Sequence, residues 1–145
     1  MAAISRAEAV WEGDLTGGKG RVKVASGTFG EFAVTWAERA DRTHGGTSPE
    51  ELIAAAHAAC YSMAFSNGLS KAGHKPERLN TTAEVEFVPG QGIKSVTLTV
   101  KGHIHGLSDD DFQRLAEEAK DGCPVSQALK GNVELKLRAA LDPVH

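Results

Sequence analysis

Ser48-Pro49-Glu50-Glu51-Leu52-Ile53-Ala54-Ala55-Ala56-His57-Ala58-Ala59-Cys60-Tyr61-Ser62-Met63-Ala64-Phe65 decides the fold of this 145-residue chain. Ser48 suits a helix N-cap, and Pro49 suits the first turn, where its missing N–H costs nothing. Glu51 falls three residues after the cap, so the spacing predicts a capping box in which Glu51 reaches back to the N-cap amide. Glu50 is then free for other work. From Leu52 to Phe65 there is no Asp, Glu, Lys or Arg. The helix is expected to run to about Ala72 and stop at Gly73, with Gly68 a point where it could bend or divide. At ~1.5 Å rise per residue it spans roughly 35 Å. A helix apolar around most of its circumference needs cover on every side. One small sheet and one amphipathic helix do not obviously supply that cover, whereas a homodimer wrapping two such helices between its sheets does.

Working outward, the residues before this helix read as three short strands in an antiparallel meander: Glu8 to Glu12, Gly20 to Ala25 and Phe29 to Trp36. Val22 and Val24 alternate with Arg21 and Lys23, and Gly13-Asp14, Thr16-Gly17-Gly18 and Gly27-Thr28 supply the turns. Ala37 to Thr47 is polar, carries Arg39, Asp41, Arg42 and His44, and reads as a loop. After the helix, Thr81 to Val88 and Ile93 to Ile104 alternate as strands around Pro89-Gly90-Gln91-Gly92. Ser108 caps an amphipathic helix through Lys120, with Phe112, Leu115, Ala116 and Ala119 on one face. Cys123 to Lys130 is a second short helix, and Val133 to Leu141 a closing strand. This order is α+β, in a single domain spanning residues 1–145.

Composition narrows the function. Hydrophobic residues at 41% and charged residues at 24% are ordinary globular values. A formal charge of −3 gives no basic footprint, so nucleic acid is not expected as a partner. No apolar run reaches the roughly 18 residues that span a bilayer, and Met1 to Arg6 lacks the apolar centre of a signal peptide, so the expected location is the cytoplasm. In that compartment two cysteines are more often reactive thiols or metal ligands than a permanent staple.

Those two cysteines are the candidate chemistry. Cys60 sits in the middle of the uncharged helix, and Cys123 opens a helix start beside Pro124. A thiol in an apolar core ordinarily has a raised pKa and is inert, so reactivity calls for a nearby cation or aimed dipoles. Arg39 and Arg42 are the candidate cations, and Glu50 could hold either by a bidentate pair. Cys123 would meet unpaired backbone amides at its helix start. Each residue also has a plainer reading: a buried cysteine as a small core hydrophobe, the arginines as solvated charges, Glu50 as a helix-dipole residue. His57 reads as a hydrogen-bonded core histidine, and His103 and His105 as solvated. A zinc site from His57, Cys60 and Cys123 lacks any paired Cys-x-x-Cys or His-x-x-x-His spacing.

Thr47 to Cys60 resembles the signature of the OsmC/Ohr family, the osmotically inducible and organic hydroperoxide resistance proteins. Gly122-Cys123-Pro124-Val125-Ser126-Gln127-Ala128-Leu129 is similar to that family's second cysteine motif. Trp11-Glu12-Gly13-Asp14 and Gly18-Lys19-Gly20 resemble the OsmC branch in particular. The resemblance covers essentially the whole chain. It implies an OsmC-like fold, with antiparallel sheets wrapped around long central helices in an intertwined homodimer. It also implies a thiol-dependent peroxidase that reduces organic hydroperoxides to alcohols. In that reading Cys60 matches the peroxidatic cysteine, Cys123 the resolving one, and Glu50 the glutamate that pairs with a catalytic arginine. Arg39 is the first match for that arginine, Arg42 the second and Arg21 a distant third.

The chemistry expected of such a site is a Cys60 thiolate attacking the O–O bond, a sulfenic acid, and a Cys60–Cys123 disulfide. An external dithiol, of lipoyl type by the resemblance, completes the cycle. No metal, flavin or haem is called for. Ala55, Ala56, Ala59, Met63 and Phe65 are the candidates to line an apolar substrate pocket, although Phe65, like Trp11 and Trp36, also reads as a core or interface aromatic. The alternative is a peroxide-responsive sensor or binding protein that is oxidised once without sustained turnover.

Overall fold

The computed structural model describes residues 1–42 and 45–142, and divides the chain into two compact units, Met1–Leu52 and Ile53–His145. In the first unit, β1 (Ala7–Glu12), β2 (Lys19–Val24) and β3 (Phe32–Val34) form an antiparallel sheet in the order β1-β2-β3. Gly20 lies under the Trp11 ring, and a Cβ there would stand 2.7 Å from the indole. The third strand is shorter than expected because Thr35 ends it. Thr35 accepts a hydrogen bond from the Glu38 amide at 3.2 Å and starts α1 (Trp36–Asp41). The expected loop from Ala37 is therefore helical in its first part. Thr35-x-x-Glu38 is itself a capping-box spacing, so the signal was present in the sequence. α1 ends at Arg42, which adopts a left-handed conformation with φ 55° and returns its amide to the Glu38 carbonyl. His44, assigned to that loop, lies outside the described residues.

The long helix α2 runs over Pro49–Lys71 without interruption at Gly68. Ser48 caps it by accepting from the Glu51 amide at 3.1 Å. The other half of the expected capping box is replaced. The Glu51 carboxylate accepts from Arg42 at 2.9 Å and from Thr47 at 2.8 Å instead of reaching back to the cap. At the far end Gly73, with φ 90°, lets the His74 amide close back on the Leu69 carbonyl at 2.9 Å, a six-to-one bond that satisfies an orphan acceptor.

In the second unit, β4 (Arg78–Val88) pairs antiparallel with β5 (Gly92–His103), and β6 (Glu134–Leu141) lies on the other side of β5. β6 runs parallel to β5, where the expected sheets were wholly antiparallel. The reason is the connection. α3 (Asp109–Gly122) and α4 (Pro124–Leu129) carry the chain back over the sheet, which a parallel neighbour requires and a hairpin cannot provide. Ser108 caps α3 as the sequence predicts, accepting from the Asp111 amide.

The core of this unit is a stripe of α2 closed by sheet and helix. His57, Tyr61, Phe65 and Leu69, each four residues after the last, are all fully buried. Tyr61, Phe65 and Leu69 pack with Leu98, Val100, Ile104, Phe112, Leu115 and Ala116. The Phe65 ring centroid lies 5.7 Å from that of Tyr61 and 5.2 Å from that of Phe112, within the aromatic pairing range. Ala55, Ala56, Ala59 and Met63 face away from this core and are exposed, Met63 to 73%. Among the described residues no helix is long and apolar enough to cross a membrane.

Gly102 of β5 lies against the Phe112 ring, and a Cβ placed there would meet its edge at 2.5 Å. Gly102→Ala is expected to destabilise the protein by about 1–3 kcal/mol through overpacking. Urea unfolding would show this as a lower midpoint with an unchanged slope.

Candidate active site

In the first unit the helix start and α1 bring two charges together. Glu50, in the first turn of α2, is only 5% exposed, and its carboxylate would be costly to bury without a partner. Arg39, in α1, supplies one: its Nε donates to Glu50 Oε1 at 3.0 Å and its terminal nitrogen to Oε2 at 2.9 Å. This two-pronged pairing fixes the guanidinium plane as well as its charge. Arg42, the second choice, is committed elsewhere. It donates to the Glu51 carboxylate at 2.9 Å and to the Gly46 and Glu38 carbonyls at 3.1 and 3.2 Å. Arg21 is exposed on β2, 3.9 Å from Glu31. The geometry therefore pairs Glu50 with Arg39 and gives Arg42 to the α1–α2 turn.

Arg39 also borders an apolar groove of about 410 Å³ within the first unit. Trp11, Leu15, Val22, Val34, Trp36, Pro49 and Leu52 contribute to its walls. None of the pocket residues proposed from sequence belongs to it. Its signal was scattered over three strands and two helix ends, and no local spacing marks it.

In the second unit α2 and α4 present the two sulfurs to each other. Cys60 is half-buried, Cys123 is fully buried at the start of α4, and neither is in a disulfide. Cys60 packs against the buried cluster that contains Cys123, and both the Cys123 thiol and the Val125 amide act on the Cys60 thiol. Burial pushes the Cys60 thiol above its ordinary value, Cys123 adds to the rise, and the Val125 amide opposes it. Beside Cys60 lies a second cavity of about 480 Å³, lined by Met63, Ala64, Leu115, Ala119 and Pro124 among others. Met63 is among its lining residues. Phe65 is not: its place in the α2 stripe sends it into the core between Tyr61 and Phe112. Ala56 is on the exposed face of α2 and is not part of this lining.

One turn from the sulfurs, His57 Nε2 and Ser126 Oγ are hydrogen-bonded at 2.7 Å, and both residues are buried. His57 is thus the hydrogen-bonded core histidine that its position suggests. The Tyr61 hydroxyl donates to the Ala116 carbonyl at 3.0 Å, and burial drives its pKa up. His103 and His105, read as solvated, are half-buried and exposed, and both flank Glu77, at 3.2 and 2.7 Å. Among the described residues no group of three or more His, Cys, Asp or Glu side chains is arranged to hold a metal ion.

Comparison with known proteins agrees with this architecture. The model of the OsmC-like protein family matches residues 42–138. The peroxiredoxin OsmC of Escherichia coli is 39% identical over 138 residues, which cover 93% of this chain and 96% of that protein. The organic hydroperoxide resistance protein OhrA of Bacillus subtilis is 32% identical over 114 residues, covering 76% and 79%. Among solved structures, an organic hydroperoxide resistance protein OsmC from Legionella pneumophila aligns with a TM-score of 0.69 and 28% identity, over 96% of this chain and 99% of that one. This chain belongs to the OsmC family, and its α+β architecture is that family's fold.

Burial lowers the His57 pKa below its ordinary 6.5. The unfolded chain therefore takes up a proton that the folded chain refuses as pH falls below about 6.5. Stability from this residue is complete above that pH and is lost on acidification through the folded value. The urea midpoint of the wild type is expected to fall between pH 7 and 5 more steeply than that of His57→Gln, measured side by side.

Proposed function

We propose that this protein is a thiol-dependent peroxidase that reduces organic hydroperoxides to alcohols. The observation that carries the reading is the pair of free sulfurs, Cys60 on α2 and Cys123 at the start of α4, interacting beside an apolar cavity. The names of the relatives, a peroxiredoxin and organic hydroperoxide resistance proteins, support the same chemistry.

The Cys60 thiolate attacks the distal oxygen of the hydroperoxide, the O–O bond breaks, and the alkoxide leaves and takes up a proton to become the alcohol. Cys60 is left as a sulfenic acid. The Cys123 sulfur then displaces its oxygen, a disulfide forms, and water carries off the hydroxyl together with the Cys123 proton. Two thiols of an external dithiol reduce the disulfide by exchange, becoming a disulfide themselves. No resident cofactor enters this cycle. The dithiol is assigned to the lipoyl class by analogy with the family.

Burial alone opposes the first step, because it holds Cys60 protonated. A cation must offset it, and Arg39, locked by Glu50, is assigned that role and the neutralisation of the developing alkoxide. The apolar walls near Arg39 and near Cys60 favour alkyl or lipid-derived hydroperoxides over hydrogen peroxide. The exposed apolar face of α2 at Ala55, Ala56, Ala59 and Met63 supports a homodimer in which a second copy covers it. Thiols that must cycle through the reduced state fit the cytoplasm.

Steady-state consumption of cumene hydroperoxide with a dithiol donor tests the reading. Wild type should turn over many times and Cys60→Ser not at all; a single stoichiometric oxidation of wild type would identify a sensor instead. Arg39→Ala should raise the Cys60 pKa and cut the rate of peroxide attack by about 10²-fold or more, by the size of similar electrostatic deletions. Cys123→Ser should complete one turnover and then accumulate sulfenic and sulfinic Cys60, as intact mass would reveal.

A further inference from the structure

Cys60 and Cys123 are one rung of a two-rung ladder between α2 and α4. His57 lies three residues before Cys60, and Ser126 three residues after Cys123. His57 shares a face of α2 with Cys60, and Cys123 is the extended N-cap of the α4 turn that carries Ser126, so the His57–Ser126 bond lies one turn from the sulfurs. At 2.7 Å, with His57 0% and Ser126 2% exposed, it is a short bond shielded from water. Among the described residues the other ring nitrogen, Nδ1, is buried with no partner. The imidazole therefore commits its hydrogen bonding to Ser126, and breaking this bond leaves the buried ring with no partner, a costly state.

α4 needs such an anchor. It spans six residues, too few to hold a helix by its own backbone bonds, and Ser126 is its fully buried residue. Each sulfur moves closer when the disulfide forms, and attack on a sulfenic sulfur depends on alignment within about an ångström.

We propose that His57 and Ser126 are positioning residues for the second step, holding α4 so that the Cys123 sulfur stays aligned on Cys60. The proposal rests on the peroxidase reading and adds a division of labour to it. The pair touches neither peroxide nor the reacting oxygen. It acts only on the condensation in which Cys123 loses its proton, the S–S bond forms, the Cys60 S–O bond breaks and water leaves.

Pre-reduced full-length protein mixed with one equivalent of cumene hydroperoxide separates the two steps. Peroxide loss reports the first. Acid quenching, thiol alkylation and intact mass report disulfide formation. Ser126→Ala is expected to consume peroxide within about twofold of wild type while closing the disulfide about tenfold more slowly, with sulfinic Cys60 building up under excess peroxide. Ser126→Thr, which keeps the hydroxyl, should recover most of the second rate. A wild-type closure rate in Ser126→Ala, or equal slowing of both steps, overturns the proposal. Should Ser126→Ala not fold, His57→Gln is judged by the same two rates. Failure of wild type to consume peroxide overturns the peroxidase reading instead. The pair is then judged by the glutathione equilibrium of the Cys60–Cys123 disulfide. There Ser126→Ala is expected to favour the dithiol about tenfold through a lower effective thiol concentration, and an unchanged constant rejects the idea.

Discussion

Burial of one stripe of α2 is the constraint from which the second unit follows. Tyr61, Phe65 and Leu69 are sealed against β5 and α3, and His57 against Ser126 of α4, and that sets the rotation of the helix about its own axis. Cys60 is adjacent in sequence to Tyr61, so it falls at the edge of the sealed face, half-buried beside a cavity. A rotation by one residue would either bury the sulfur beyond reach or expose it to water. Truncating a large buried aromatic of this kind costs on the order of 3–5 kcal/mol, a large share of a small protein's stability. The chemical position of the thiol is therefore held by packing energy and needs no strain of its own.

The first unit solves a different problem, that of keeping a carboxylate in a dry place. Glu50 is nearly inaccessible, Arg39 is about one-third exposed, and their two short hydrogen bonds hold the guanidinium in one plane. In such a pair the Coulombic attraction largely offsets desolvation, so its net contribution to stability is small, whereas removing one partner is expensive. That arithmetic fits a pair retained for orientation. Arg42 serves the neighbouring turn: its left-handed backbone ends α1, and its side chain ties Glu51 and two carbonyls together.

Much of this was legible from local rules. The cap at Ser48, the stop at Gly73, the hairpin around Gly90 and the cap at Ser108 are short-range effects, and each appears where its residues predict. Thr35 shows the same rule overlooked, since Thr35-x-x-Glu38 announces α1 as clearly as Ser48-x-x-Glu51 announces α2. Phe65 carried two readings, core aromatic and pocket lining. On a helix apolar all round, composition does not say which face turns inward, and the core rather than the cavity takes Phe65. The parallel pairing of β6 is likewise not local, because it depends on where α3 and α4 return the chain.

The sequence by itself determined the two sulfurs, their helices, the helix ends and the family to which they belong. Those features depend on residues within one or two turns of each other or on long contiguous motifs. Tertiary structure decided which arginine Glu50 takes, which face of α2 is sealed, and that Ser126 meets His57. Partners 11 and 69 residues apart are joined only when the chain is folded, and side-chain hydrogen bonding between such distant positions leaves no periodicity for a sequence to display.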